Sequence, residues 1–172
     1  VDIFLVIIRA LLAAVFIVAA VSKLRDQAGT RKAAVSFGVP DSMSQMFAFA
    51  LPLVEIVAAA LLLFSAFSWF GSLAITVLLF VFTVVISIQL LNGAEPDCHC
   101  FGQLGAEKIG VGSVMRNALF LAPAVVLVTR GSAGQGSEFW ELDRQSVLLL
   151  LAAAVVALMI VAIQLLQRLL TK

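Results

Sequence analysis

The chain has 172 residues, of which 63% are hydrophobic and 12% charged, with a formal net charge of +1 and a mean hydropathy of +1.15. Soluble domains run at roughly 45–50% apolar and about 25% charged, so this chain cannot cover a compact fold with polar groups, and lipid must be its solvent. A basic domain with interleaved aromatics is absent, which excludes nucleic-acid binding, and two cysteines separated by one residue are too few for a disulfide-stapled scaffold.

Five apolar runs approach the ~20 residues needed to cross ~30 Å of hydrocarbon. The first, about Ile3 to Val21, contains Arg9; it is longer than a signal-peptide core and lacks a basic leader and a cleavage site, so it is expected to be a retained span. A connection from Ser22 to Gln45 carries Lys23, Arg25, Arg31 and Lys32, then the turn sequence Phe37-Gly38-Val39-Pro40. The second span, about Met46 to Phe67, includes Pro52 and Glu55. A tight link near Ser68 leads to the charge-free third span, about Trp69 to Leu91, so these two should pack antiparallel. The next loop, Asn92 to Gly112, holds Glu95-Pro96-Asp97-Cys98-His99-Cys100-Phe101-Gly102. The fourth span, about Val114 to Val128, has Arg116 at its start and Pro123 inside. A Gly/Ser-rich, then acidic, segment precedes the fifth, about Val147 to Leu170. The fold expected is an all-α membrane protein: a four-helix transmembrane core over residues 1–130, an exposed linker over 131–145, and an additional transmembrane helix over 146–172. Ala-rich stretches invite close helix contact.

Because spans alternate in direction, the Lys/Arg-rich connection and the cysteine loop share one face, here face B. The N-terminus and the link between spans two and three share face A. Face B collects Lys23, Arg25, Arg31, Lys32, Lys108, Arg116, Arg168 and Lys172, whereas face A collects Arg130 and Arg144. The positive-inside rule would put face B in the cytoplasm.

Cys98-His99-Cys100 is the sharpest chemical signal, and three readings fit it. A disulfide across one intervening residue is strained and therefore suited to exchange, and His99, Arg116 and the basic first connection favour the thiolate, against the pull of Glu95 and Asp97. Two thiolates and an imidazole would also suit copper(I) or zinc, but a structural zinc site takes four ligands and the chain has no other His or Cys, so no metal site is assigned. The third reading is two incidental loop cysteines. Within the membrane, Arg9 lies about 10 Å from face A and Glu55 near mid-depth, which brings a Glu55–Arg9 contact within reach. Such charges default to a functional role: Glu55 as a proton relay toward the thiols, or a purely structural pair with Arg9, or Arg9 snorkelling to face A. Arg116 can steer a thiolate or anchor its helix to lipid phosphate.

The sequence Arg9…Phe16…Ser22-Lys23-Leu24, Phe37-Gly38-Val39-Pro40 and Leu51-Pro52…Glu55 resembles the DoxX-like membrane family. Asp97-Cys98-His99-Cys100-Phe101-Gly102, followed by Arg116-Asn117 opening a span, resembles its MauE branch, the methylamine-utilisation membrane proteins. The resemblance covers roughly residues 3 to 130. It implies a DoxX-like four-helix core in the bacterial cytoplasmic membrane and a part in thiol–disulfide traffic. Cys98 and Cys100 would be the redox pair, with His99, Arg116, Lys23, Glu55 and Arg9 in support. It also implies a thioredoxin-like partner of the TlpA/MauD type and a client acquiring disulfides. That partner is expected as a separate polypeptide. Since disulfides persist outside the cytoplasm, an extracytoplasmic face B is expected despite its charge. No bound cofactor is expected, although quinone is the natural electron carrier within lipid. The rival expectations are a non-catalytic subunit of a larger membrane complex and a copper(I)-binding protein.

Overall fold

A computed structural model describes residues 2–93, 97–98, 107–108 and 110–130, and the side chains of 2, 97–98 and 107–108 are not part of that description. The linker over 131–145 and the fifth span lie outside the described residues. Among those described, four helices are long and apolar enough to cross a membrane, and the chain is an all-α, multi-pass membrane protein.

Helix α1 (Asp2–Arg25) runs from face A to face B, where Asp26 accepts a hydrogen bond from the Gly29 N–H and caps α2 (Gln27–Ser36). The first connection is therefore a short helix, not an open loop, and Lys23 belongs to the last turn of α1. The reason lies in the local chemistry: Asp26 supplies the cap, and Ala33 and Ala34 give α2 a buried stripe. Gly38, at φ +94°, ends α2; the Val39 N–H reaches the Ala34 carbonyl and the Gly38 N–H that of Val35. Pro40 follows, and α3 (Asp41–Leu63) begins there, one turn ahead of the apolar run that marks it in the sequence. At the face B end of the bundle, Arg31 ties α2 to the start of α3 through Ser44 Oγ and Asp41 Oδ1, both at 2.9 Å.

Phe64 is extended (φ −100°, ψ 122°) and breaks α3 four residues before its expected end. A 3-10 turn, Ser65–Phe67, reverses the chain into α4 (Ser68–Leu91). Between α4 and α5 (Val111–Arg130), a two-residue antiparallel ladder pairs Asp97 with Lys108 and Cys98 with Glu107; we call these strands β1 and β2. The helices close a ring: α1 packs on α3, α3 on α4, α4 on α5, and α5 touches α1.

In lipid the interior of a bundle is marked by small and polar residues, since apolar side chains are at ease on either side. The buried stripe of α3 follows that rule: Ser44, Ala48, Pro52, Glu55, Ala58, Ala59 and Leu62, at helical spacing. On α4 the hydroxyls of Thr76, Thr83 and Ser87 donate to carbonyls four residues back, which satisfies them within the helix. Helices α3 and α4 approach closely at Gly71, where an added Cβ would lie 2.8 Å from both the Ala58 carbonyl oxygen and the Leu62 nitrogen. These are backbone atoms and cannot step aside. Gly71→Ala is therefore expected to destabilise the solubilised protein by about 1–3 kcal/mol, the usual range for overpacking; an unfolding midpoint equal to that of the parent would show that α3 and α4 separate at little cost.

The core divides along the membrane normal. Its face A half is mainly apolar, built from Leu5, Ile8, Leu12 and Phe16 against Leu62, Ile75, Ala124 and Leu127, around the buried Arg9, Ser68 and Ser72. Its face B half holds the buried polar residues Lys23, Thr30, Ser44, Glu55 and Asn117.

Candidate functional site

Two intramembrane charges of α1 have separate tasks at opposite ends of the bundle. Arg9 is completely buried. Breaking α3 at Phe64 leaves its last carbonyls without intrahelical donors, at a depth where water cannot replace them. Arg9 Nε donates to the Leu62 carbonyl at 2.8 Å and Nη2 to that of Leu63 at 3.3 Å. The guanidinium also sits at the negative end of the helix dipole. A costly intramembrane cation is thus explained by the helix end it caps.

The structure pairs Glu55 with Lys23 instead of Arg9. Lys23 Nζ donates to Glu55 Oε1 at 2.7 Å and to Oε2 at 2.9 Å, and both side chains are almost wholly removed from the surface. The reason is directional. Side chains on a helix lean toward its N-terminus, so a lysine in the last turn of α1 extends back into the bundle and reaches a carboxylate near mid-depth. Arg9, fourteen positions away and so about 21 Å along the axis, serves face A. Sequence reasoning placed Lys23 among the loop charges facing the thiols; its charge is instead neutralised inside the bundle.

Thr30 Oγ1 donates to the Asp26 carbonyl at 2.9 Å and seals the α1–α2 corner above this pair. Arg116 is half-buried near the start of α5. Asn117 beside it is 3% exposed, and its Nδ2 has no hydrogen-bond partner among the described residues. Sequence reasoning gave Asn117 no role beyond its place in the Arg116-Asn117 pair that opens the span. Trp69 Nε1 donates to the Val128 carbonyl at 3.3 Å, which joins the face A ends of α4 and α5.

The backbone of Cys98 lies in the β1–β2 ladder, opposite Glu107. The ladder sits between the face B ends of α4 and α5, so the cysteine segment and the Lys23–Glu55 half of the bundle share one side of the membrane. His99 and Cys100 lie outside the described residues.

Residues 1–130 match the family model of the methylamine utilisation protein MauE. The chain belongs to the MauE family. Two curated relatives agree. A methylamine utilization protein MauE from Paracoccus denitrificans is 32% identical over 124 residues, covering 71% of this chain and 67% of the relative. Its counterpart from Paracoccus versutus is 35% identical over 120 residues, covering 69% and 64%. The MauE-family chain thus spans about two thirds of the length of each relative. The matched region ends with α5, so all four described spans, both intramembrane charges and the cysteine ladder belong to the MauE unit. No solved structure matches.

Proposed function

We propose that this MauE-family protein exchanges disulfides, through Cys98 and Cys100, with a thioredoxin-like partner at the membrane surface, and so supports the maturation of a client protein. The names of the two relatives attach them to methylamine utilisation, and we place the client in that process. The observation that carries the reading is the backbone ladder at Cys98, which holds the first residue of the Cys-x-Cys motif between two packed transmembrane helices at one membrane face. A cysteine held this way meets its partner in a restricted orientation, which favours a bimolecular exchange.

The step balances as follows. One cysteine thiolate attacks a sulfur of the partner's disulfide, forming a mixed disulfide and releasing one partner thiolate. The second cysteine then attacks the first, closing the Cys98–Cys100 disulfide and releasing the second partner thiolate. The chain's dithiol is oxidised and the partner's disulfide reduced by two electrons; with the roles exchanged, the same steps oxidise the partner.

We also place the protein in the bacterial cytoplasmic membrane with face B outside. The charge bias that opposes this orientation is weaker than the raw count implies, because Lys23 lies inside the bundle, paired with Glu55, and is not a loop charge. Labelling intact cells with a membrane-impermeant maleimide tests orientation and redox state together. Labelling of Cys98 and Cys100 only after prior reduction is expected. Labelling only after lysis would put the pair in the cytoplasm and overturn the proposal.

A further inference from the structure

Under α2, on the face B side, the bundle holds a partly open cavity of about 230 Å³. It exists for a reason already visible in the packing. Gly71 draws α3 and α4 together near face A, whereas toward face B these helices part, with Phe47 and Leu51 on one wall and Phe82 and Val85 on the other. The α2 roof there is Ala33 and Ala34, too small to fill the gap. Phe47 and Val81, both exposed on the lipid side of their helices, stand at its margin. The cavity therefore communicates sideways with the hydrocarbon.

The walls are apolar apart from Lys23 and Thr30. Thr30 spends its hydroxyl proton on a backbone carbonyl. Lys23 differs, since an ammonium has three N–H donors and Glu55 engages it through two contacts. One buried donor thus remains for a ligand acceptor. The occupant this selects is mostly apolar, carries an acceptor and arrives from lipid. The hydrocarbon of an acyl chain has no acceptor for Lys23, and a phospholipid phosphate needs more donors than these walls provide.

We propose that this cavity binds the headgroup of a membrane quinone, with Lys23 donating to one carbonyl oxygen and the isoprenoid tail leaving between Phe47 and Val81. The proposal deepens the thiol-exchange reading and rests on it for the electron donor. The Cys98/Cys100 dithiol gives two electrons and two protons to the quinone, becoming a disulfide as the quinone becomes quinol. Phe82 to Ile86 lie five to nine residues before the end of α4, so the cavity is about 7–14 Å in depth from the point where the cysteine segment leaves that helix.

The test uses the full chain in nanodiscs of quinone-free phosphatidylcholine, titrated with decylubiquinone. Saturable binding of one quinone per chain is expected, at least about 10-fold weaker in Ala33→Phe and in Val85→Phe, which fill the cavity from opposite walls. Binding should be unchanged in a Cys98→Ser/Cys100→Ser variant. Photolabelling of the unaltered chain with an azidoquinone should mark peptides containing Ala33 to Phe37 or Phe82 to Ile86, which gives a reading even if a filled variant does not fold. Absence of saturable binding, equal binding by folded filled variants, label elsewhere, or a co-purified lipid that decylubiquinone cannot displace would each overturn the site. Binding without quinol formation by the reduced chain would retain the site but defeat the electron transfer, and with it the thiol reading as the source.

Discussion

Glu55→Leu is expected to destabilise the protein by about 3–5 kcal/mol, while Lys23→Met/Glu55→Leu recovers most of that loss. The single change leaves an ammonium in the bundle with its two carboxylate contacts gone, at 2% exposure for the residue as a whole. Removing one member of a buried pair strands the other without water or counter-charge, whereas removing both leaves an apolar contact that the hydrocarbon interior accepts. Lys23→Met alone should resemble Glu55→Leu in direction and be milder, because a lone carboxyl can take up a proton and become neutral. Unfolding of the detergent-solubilised protein, followed by tryptophan fluorescence across a denaturant series, supplies the double-mutant cycle. Single changes without effect would show that water reaches the pair. A double variant that folds normally but has lost disulfide exchange would assign the pair to function, such as proton relay, and not to stability.

Cys98→Ser and Cys100→Ser are each expected to reduce disulfide exchange with a thioredoxin-like partner to background, with stability changed by less than about 0.5 kcal/mol. The two losses should differ in kind. Serine at the attacking position prevents the mixed disulfide, whereas serine at the resolving position lets it form and removes the thiolate that would release it. Non-reducing electrophoresis with the partner present therefore assigns the roles: the variant that accumulates a covalent adduct retains the attacking cysteine. Exchange that survives either substitution would sink the redox proposal. His99→Ala should slow exchange without abolishing it, since a neighbouring cation favours the thiolate but is not consumed.

The spans were legible because membrane crossing is a property of single segments. Length and hydropathy alone marked Ile3 to Val21, Trp69 to Leu91 and the others, and the helices found for the first four differ from these runs by up to five residues at their ends. The turn at Phe37-Gly38-Val39-Pro40 was legible too, since a glycine at positive φ followed by a proline is local chemistry. Helix α2 was missed because polar residues fill half of its ten positions and its buried stripe is only Thr30, Ala33 and Ala34. At the candidate site, sequence drew attention to Arg9, Glu55, Lys23, Cys98 and Arg116 but misjudged the partnerships. A contact between Arg9 and Glu55 was within reach by depth, yet depth says nothing about which way each helix is turned.

What the sequence determined by itself is the class of protein: a chain with lipid as solvent, its span positions, its intramembrane charges, its cysteine segment and the resemblance that names its family. Each follows from residues read in order, since segment hydropathy, turn chemistry and motif spacing are all local. Only the tertiary structure decided that Glu55 belongs to Lys23, that Arg9 closes the end of α3, and that α3 and α4 meet at Gly71 and part beneath α2. In lipid the apolar side chains of a span are indifferent to whether they face a neighbour or the membrane. The rotation of each helix is therefore written in a few small and polar residues, whose partners lie on other helices and appear only once the bundle is assembled.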